Sequence, residues 1–452
     1  MSHTSSKPAT SSAPLADTIL ASAQNVQAVL AGRSLSDSLA ATPAPLRAAT
    51  QAIVFHVMRR LGLAREIKEM LVRRTPPNAW FDAVLLVSLA LLDTAVEYAG
   101  DISVEQPARR DVPVYAVHTV VDQAVQAVAG QRTLQTYKGL LNATLRGFIR
   151  DRNAILTQAR KNPEAVFNHP KWWIAHVRRA YPDQWQALLH AANRPGQMTL
   201  RVNARRSSVE ALLAAFAAAG IDAVSPAPGA VALSTPRAVQ SLPGFEEGWW
   251  SVQDLSAQRA ANLLPLAAGM RVLDACAAPG GKTAHMLERA DVELLALDTD
   301  ATRLERVGQN LQRLGLGGPG VTLRCADAAD VPSWWDGKPF DAVLADVPCT
   351  ASGVVRRHPD IRWLRREADI QRTAAQQRKI VDALWQTVKP GGHLLYATCS
   401  IFPQEGEAQA GQFLARHADA QRQEAPGQLL PLSDDPLASC DGFFYALFAK
   451  TA

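Results

Sequence analysis

Two cysteines and four aspartates in the C-terminal half follow short apolar runs, where they could carry group-transfer chemistry. From residue 269 the runs RVLDAC, ELLALD, VTLRC, FDAVLAD and GGHLLYATC alternate with stretches of helical spacing. That is the pattern of an α/β domain with a mostly parallel sheet covered on both faces. Ligands of such sheets bind outside the carboxyl ends of the strands. Asp274, Asp298, Asp327 and Asp346 fall there, as do Cys349 and Cys399.

The first strand end reads DACAAPGGKT, residues 274–283. Gly280 and Gly281 let backbone approach a ligand at the start of the next helix, whose amino end favours electron-rich groups. Two phosphate loops are excluded here by spacing: this strand end carries no GxGxxG, and a Walker A loop needs glycine where Cys276 stands. Asp298 lies 24 residues after Asp274, where a carboxylate can accept from both hydroxyls of a ribose, and Asp327 is placed to reach an adenine amino group. Taken singly, each aspartate could equally be a helix cap. An adenosine-containing ligand held without a phosphate loop points to S-adenosylmethionine.

The thiols narrow the reaction. Carbon 5 of a pyrimidine is a poor nucleophile. A thiolate adding at carbon 6 makes carbon 5 enamine-like and able to accept a methyl group; a base then removes the carbon 5 proton and the thiolate leaves. A free thiol of pKa about 8.5 is only a few per cent thiolate near pH 7, and Lys282 and neighbouring arginines can favour the charged form. This chemistry suits either Cys349 or Cys399 as the nucleophile.

DACAAPGGKT, DVPCTASG with the following VVRRHPDIRWLRR, and YATCS closely resemble the NOL1/NOP2/Sun RNA 5-methylcytosine methyltransferases, from about residue 170 to the end. The resemblance implies a Rossmann-like S-adenosylmethionine-dependent domain in which Cys276, Ala277, Ala278, Pro279, Gly280, Gly281 and Lys282 form the donor loop. Asp298 would hold the ribose hydroxyls and Asp327 the adenine edge, with Asp346 beside the methionine part and the target base. Cys399 would be the nucleophile, and Cys349 would assist product release as base or proton relay. Val347 stands where the family usually has Ala, and Thr350 where Ser is common; both change shape near Cys349 and leave the catalytic atoms in place. His358 and His393 are expected to be structural.

The elements that must position this site fall into several parts. The chain has 452 residues, 48% hydrophobic and 20% charged, which suits about two to four domains and excludes wholesale disorder. Residues 1–13 read as a disordered leader without an apolar core, so no secretory signal is expected. Residues 14–155 read as helices, with apolar positions such as Ile19, Ala23, Val26 and Leu30, or Ile53, Val57, Leu61 and Leu63, near helical spacing. VDQAVQAV and TYKGLLNATLRGFIRDR resemble the NusB-type RNA-binding domain. Residues 156–250 read as a connector with a small α+β RNA-binding subdomain, and residues 251–452 as the catalytic domain. The division is placed within residues 244–254. The apolar run at residues 83–92, bounded by Asp82 and Asp93, is far shorter than the ~20 residues that span a bilayer and is expected to be a buried helix.

Five cysteines without a CxxC spacing argue against a zinc site or a disulfide framework, so no metal is expected and the thiols read as reduced, in a cytoplasm. The formal charge is only +5 but is concentrated: residues 138–206 carry 13 Lys/Arg against 3 acids, and residues 356–379 carry 8 against 3. These stretches hold Trp172, Trp173, Arg178, Arg179, Arg356, Arg357, Arg362, Arg365 and Arg366. Cations interleaved with aromatics suit looped or single-stranded RNA, although arginines on solvated helix faces and core tryptophans give the same pattern. The combined resemblance implies a monomer acting on 16S, small-subunit rRNA, free or in an early assembly intermediate. A tRNA or another rRNA site, or a non-catalytic RNA-binding assembly or antitermination role, are the alternatives. A buried cytosine would have to be unstacked or flipped to meet a thiolate.

Overall fold

In the computed structural model the described residues are 13–74, 76–99, 112–433 and 435–451. All but one residue of the expected leader lies outside them. The chain forms two compact units, one of residues 1–174 with 358–364, the other of residues 175–357 with 365–452.

The first unit is helical. Its main helices are Leu15–Leu30, Ala44–Leu71, Ala79–Tyr98, Val117–Ala129 and Lys138–Ala159. Asn78 starts the third of these by accepting the backbone N–H groups of Trp80 and Phe81, two of the donors a helix start leaves unpaired. Ile19, Val26, Ile53, Val57, Leu61, Phe81, Leu89, Val120 and Phe148 share one core. Leu30, although in phase with Ile19 and Val26, is 38% exposed. The apolar run of residues 83–92 is the buried middle of Ala79–Tyr98. That helix is long and apolar enough by composition to cross a membrane, but 78% of its apolar window is buried inside the structure.

Residues 358–364 pack into this helical unit. The Asp360 carboxylate accepts the Leu35 N–H at 2.9 Å, and Trp363 Nε1 donates to the Met58 carbonyl at 2.8 Å. Arg65 lies over the Trp363 ring. The Arg362 side chain is fully buried and donates to the Asn168 carbonyl; burial, with Arg59 nearby, lowers its pKa to about 9. Arg362 is therefore not on an RNA-facing surface, contrary to the expectation from its basic neighbours. Trp173 is also buried, tilted against Trp172 and His169, and so presents no ring for stacking on a base.

The second unit holds two sheets. The smaller has β1 (Thr199–Val202), β2 (Ala223–Val224), β3 (Ala230–Leu233) and β4 (Trp250–Val252) in the order β2-β3-β1-β4, all antiparallel. β4 lies within residues 244–254. The larger has β5 (Arg271–Asp274), β6 (Glu293–Asp298), β7 (Val321–Cys325), β8 (Phe340–Asp346), β9 (Val388–Thr398), β10 (Ala420–Leu429) and β11 (Phe443–Lys450), in the order β10-β11-β9-β8-β5-β6-β7. Strands β5 to β9 pair in parallel, and β10 and β11 are antiparallel additions at one edge. Leu273, Leu297, Val343 and Leu394 are fully buried, as expected for strands covered on both faces. The chain runs from β5 to β6 and β7 on one side, then crosses to β8 and β9 on the other. The crevice at that reversal is where such sheets bind ligands.

Candidate active site

β5 delivers the glycine-rich loop. Asp274 is buried at its end and accepts from Thr283 Oγ1 at 2.7 Å. Burial is the main reason its pKa rises to about 7, against the opposing hydrogen bond from Thr283. The Ala277 N–H donates to the Leu297 carbonyl on β6, which folds the loop over the sheet end. Gly280 caps the helix Gly281–Arg289 with φ of 94°. A Cβ there would sit about 3.0 Å from Val307, so the left-handed turn and the close packing both require glycine.

Asp298 ends β6 and is 7% exposed. Its two oxygens accept the Ala278 and Asp300 N–H groups at 3.1 and 3.0 Å. Each carboxylate oxygen has about two acceptor positions, so each can also take one hydroxyl of a vicinal diol. Asp327 follows β7, exposed, with one oxygen accepting the Ala329 N–H. Carboxylates at the ends of adjacent strands, beside a helix amino terminus, fit an adenosine and its ribose.

Lys282, on the first turn of that helix, reaches Asp346 at the end of β8 with Nζ–Oδ2 of 2.5 Å. It also lies over the Phe443 ring at 5.0 Å. Burial works against the ammonium charge, but Asp346 outweighs it by charge and hydrogen bond and holds the Lys282 pKa above its ordinary value. Cys276 is pushed well above the ordinary thiol range by burial and then by the charges of Asp346, Asp274, Asp298 and Asp327. It stays a neutral thiol in the glycine-rich loop.

Cys349 follows β8 and Cys399 follows β9, and their sulfur atoms are 3.4 Å apart. The Cys349 pKa is pushed well above the ordinary range, first by the hydrogen bond with Cys399, then by burial and the charges of Cys399 and Glu405. The loop carrying Cys349 turns sharply at Ala351, whose φ is 57°, and the Ala351 N–H points at the Cys349 sulfur at 3.3 Å. The Gly353 N–H donates to the Cys399 carbonyl. Gly353 and Gly442 pass so closely that a Cβ on Gly353 would overlap the Gly442 carbonyl. On the other loop, Tyr181 donates to the Ile401 carbonyl at 2.6 Å.

Three residues that organise this centre have no sequence signature. Glu405, fully buried, takes hydrogen bonds from the loops of both cysteines. Arg201 on β1 is paired with Glu288 at 2.6 Å and donates to the Gly281 carbonyl at 2.7 Å, tying the small sheet to the glycine-rich loop. Phe443 on β11 faces Lys282. Arg201 and Glu405 lie near solvated residues of the same type, Arg205 and Glu407, and only burial distinguishes them.

The basic residues divide differently from the expectation. Arg178 and Arg179 are exposed on the helix Lys171–Ala180, and Arg366 is exposed at the start of Glu367–Trp385. Trp172 is half-buried. Arg365 donates to the Thr350 carbonyl at 3.0 Å, beside Cys349. Arg356 is buried against Ser439, the Cys440 carbonyl and the Pro195 carbonyl, so its charge serves the fold rather than an RNA phosphate. Arg357 bridges Asp254 and Asp441 at 2.7 and 2.6 Å. Among the described residues no group of three or more His, Cys, Asp or Glu could hold a metal ion.

Residues 261–449 match the family of the 16S rRNA methyltransferase RsmB/F, and residues 169–240 match the ferredoxin-like domain of RsmF/B-like methyltransferases. A ribosomal RNA small subunit methyltransferase B from Vibrio cholerae serotype O1 is 40% identical over 438 residues, covering 94% of this chain and 95% of the relative. The crystal structure of PH0851 is similar over 99% of this chain and 100% of its own, with a TM-score of 0.74 at 24% identity. A methyltransferase homologue from Pyrococcus horikoshii is similar over 64% of this chain and 97% of its own, with a TM-score of 0.55 at 26% identity. The chain belongs to the RsmB family of 16S rRNA methyltransferases, and is a small-subunit rRNA methyltransferase.

Proposed function

We propose that the chain methylates carbon 5 of a cytosine in 16S rRNA through a covalent bond between Cys399 and carbon 6 of the base. The observation that carries the reading is the pair of sulfur atoms, 3.4 Å apart at the ends of the adjacent strands β8 and β9, beside the Lys282–Asp346 pair. A non-covalent methyl transfer has no use for two apposed thiols.

In this mechanism the loop from Cys276 to Lys282, with Asp298, Asp327 and Asp346, holds the donor. When bound, S-adenosylmethionine supplies an electrophilic methyl group. The Cys399 sulfur forms a bond to carbon 6, and the displaced electron pair makes carbon 5 nucleophilic. Carbon 5 takes the methyl group as the donor's sulfur–methyl bond breaks. Cys349 relays the carbon 5 proton to water, its sulfur taking that proton as its own passes on. The electron pair of the carbon 5–hydrogen bond reforms the ring double bond, and the carbon 6–sulfur bond breaks with its electrons on sulfur, which frees Cys399 as thiolate. The lysine ammonium favours charge on a nearby sulfur. The raised pKa of Cys349 supports its part as proton carrier and leaves Cys399 to attack.

Exposed Arg178, Arg179 and Arg366, with half-buried Arg365 and Trp172, are candidates for holding the RNA backbone near an unstacked base. The helical unit, NusB-like in its sequence, and the small sheet serve RNA binding in a cytoplasmic enzyme that acts as a monomer before assembly hides the site. The test is incubation of undermodified 16S rRNA with labelled donor, followed by mapping of the labelled base. Label at carbon 5 of a cytosine supports the reading; label on another atom or base removes it.

A further inference from the structure

Glu405 lies in the turn Pro403–Glu405 and is fully buried. One oxygen accepts the Thr350 N–H at 2.8 Å, Thr373 Oγ1 at 2.6 Å and Gln377 Nε2 at 3.2 Å; the other accepts Ser400 Oγ at 2.6 Å and Thr350 Oγ1. Thr350 follows Cys349 and Ser400 follows Cys399. Gln377 also donates to the Pro348 carbonyl, on the other side of Cys349, and is held by Tyr396, which donates in turn to the Glu405 carbonyl. Among the described residues no cation pairs with this carboxylate. Its partners are all donors on the two cysteine loops and on the helix Glu367–Trp385.

The geometry points to Glu405 as the positioning residue of the thiol pair. A single carboxylate grips the residue after each cysteine, so its reach sets how far apart the two sulfurs lie and whether they face one crevice. The inference rests on the two-thiol reading above. Buried acceptors with several donors are rigid, because each lost bond leaves a donor unpaired away from water. The departure from the family at Thr350 fits this role, since threonine keeps the hydroxyl that Glu405 holds.

Reach separates this role from one of charge. Glu405→Asp keeps the carboxylate but shortens the side chain by one carbon–carbon bond, about 1.5 Å, so it cannot hold both loops. Glu405→Gln keeps the reach, and its NH2 can face the Thr350 and Ser400 hydroxyls, which turn to accept. Thiol apposition is read without RNA by dibromobimane, which fluoresces when both ends have reacted, counting only the signal lost in Cys349→Ala. Turnover is read as methylation kcat and donor KM, with folding checked by thermal unfolding.

For Glu405→Asp, the Cys349-dependent cross-linking rate and kcat are expected to fall together. The fall should be on the order of 10- to 100-fold, the scale of a 1 Å misplacement in an active site, with donor KM within about twofold of wild type. Glu405→Gln is expected to keep both within a few-fold. Should Glu405→Asp not fold, Ser400→Ala removes only the Cys399-side contact and is expected to lower both readouts to a smaller degree. Wild-type cross-linking and kcat in Glu405→Asp or in Ser400→Ala overturn the proposal. So does a Glu405→Gln protein that cross-links normally but turns over no better than Glu405→Asp, because the carboxylate would then act through charge. If Cys399→Ala proves active, the covalent reading fails while the cross-linking result still stands.

Discussion

The sulfur atoms of Cys349 and Cys399 are 3.4 Å apart although 50 residues separate them in the chain. Two parallel strands, β8 and β9, bring them together, since register sets Asp346 opposite Ala397 and each thiol follows its strand within three residues. The pairing makes the two sulfurs chemically unequal and leads to separate outcomes for their removal.

Cys399→Ala is expected to abolish methylation of 16S rRNA, and Cys349→Ala to accumulate a covalent protein–RNA adduct. The adduct is seen as a slow-migrating species on a denaturing gel. Methylation at the wild-type rate by Cys399→Ala, or normal turnover without adduct in Cys349→Ala, would exchange or remove the assigned roles.

Lys282→Met removes the charge that faces Asp346 and leaves a partly buried carboxylate without its partner. Methyl-transfer kcat/KM should fall about 10- to 100-fold, or roughly 1.4 to 2.7 kcal/mol. Calorimetric titration with S-adenosylmethionine separates weaker donor binding from a loss confined to the chemical step.

Asp274 gives a pH-dependent signature. Its pKa is about 7 in the fold against 3.8 for the ordinary carboxyl, so the native state holds the proton more tightly than the unfolded chain. The stabilisation is fully present below pH 3.8 and is lost as pH rises through about 7. Asp274→Asn, which keeps an acceptor for Thr283, should therefore gain thermal stability relative to wild type between pH 5 and pH 8. Melting curves at the two pH values check this; an equal difference at both contradicts it.

Arg201→Ala is expected to destabilise the second unit by about 3 kcal/mol. This is the lower end for a broken buried pair, because burial already raises the Glu288 pKa and that carboxyl can take up a proton. The same change removes the donor to the Gly281 carbonyl, so S-adenosylmethionine affinity should fall as well. Denaturant unfolding and calorimetry read the two effects separately.

Arg178→Ala and Arg179→Ala are expected to weaken RNA binding and to lower the slope of log K against log salt by about 0.7 per lost phosphate contact. Arg362→Met should leave that slope unchanged and alter stability instead. Binding isotherms at several salt concentrations distinguish exposed arginines from the buried one.

Much of this was written in the order of residues. Strands β5, β6, β8 and β9 are short apolar runs because both faces of a parallel sheet are covered, and their ends carry Asp274, Asp298, Asp346 and Cys399 by position alone. Strand β10 had no such signal: it is an edge strand with no buried residue and no apolar run, and its identity comes from pairing with β11. The basic run after Cys349 looked uniformly available to RNA, yet Arg362 is buried in the helical unit and Arg356 in the other. Charge type is local, whereas exposure depends on what packs over a residue. Glu405 is the extreme case. Its neighbours Gln404, Gly406 and Glu407 give it the appearance of a surface turn, and only the convergence of two loops and a helix turns its carboxylate into the acceptor they share. The sequence determined which groups could do chemistry and roughly where each strand would end. The tertiary structure decided which of them meet, because contact between distant segments is set by register, crossover and burial, which no local pattern encodes.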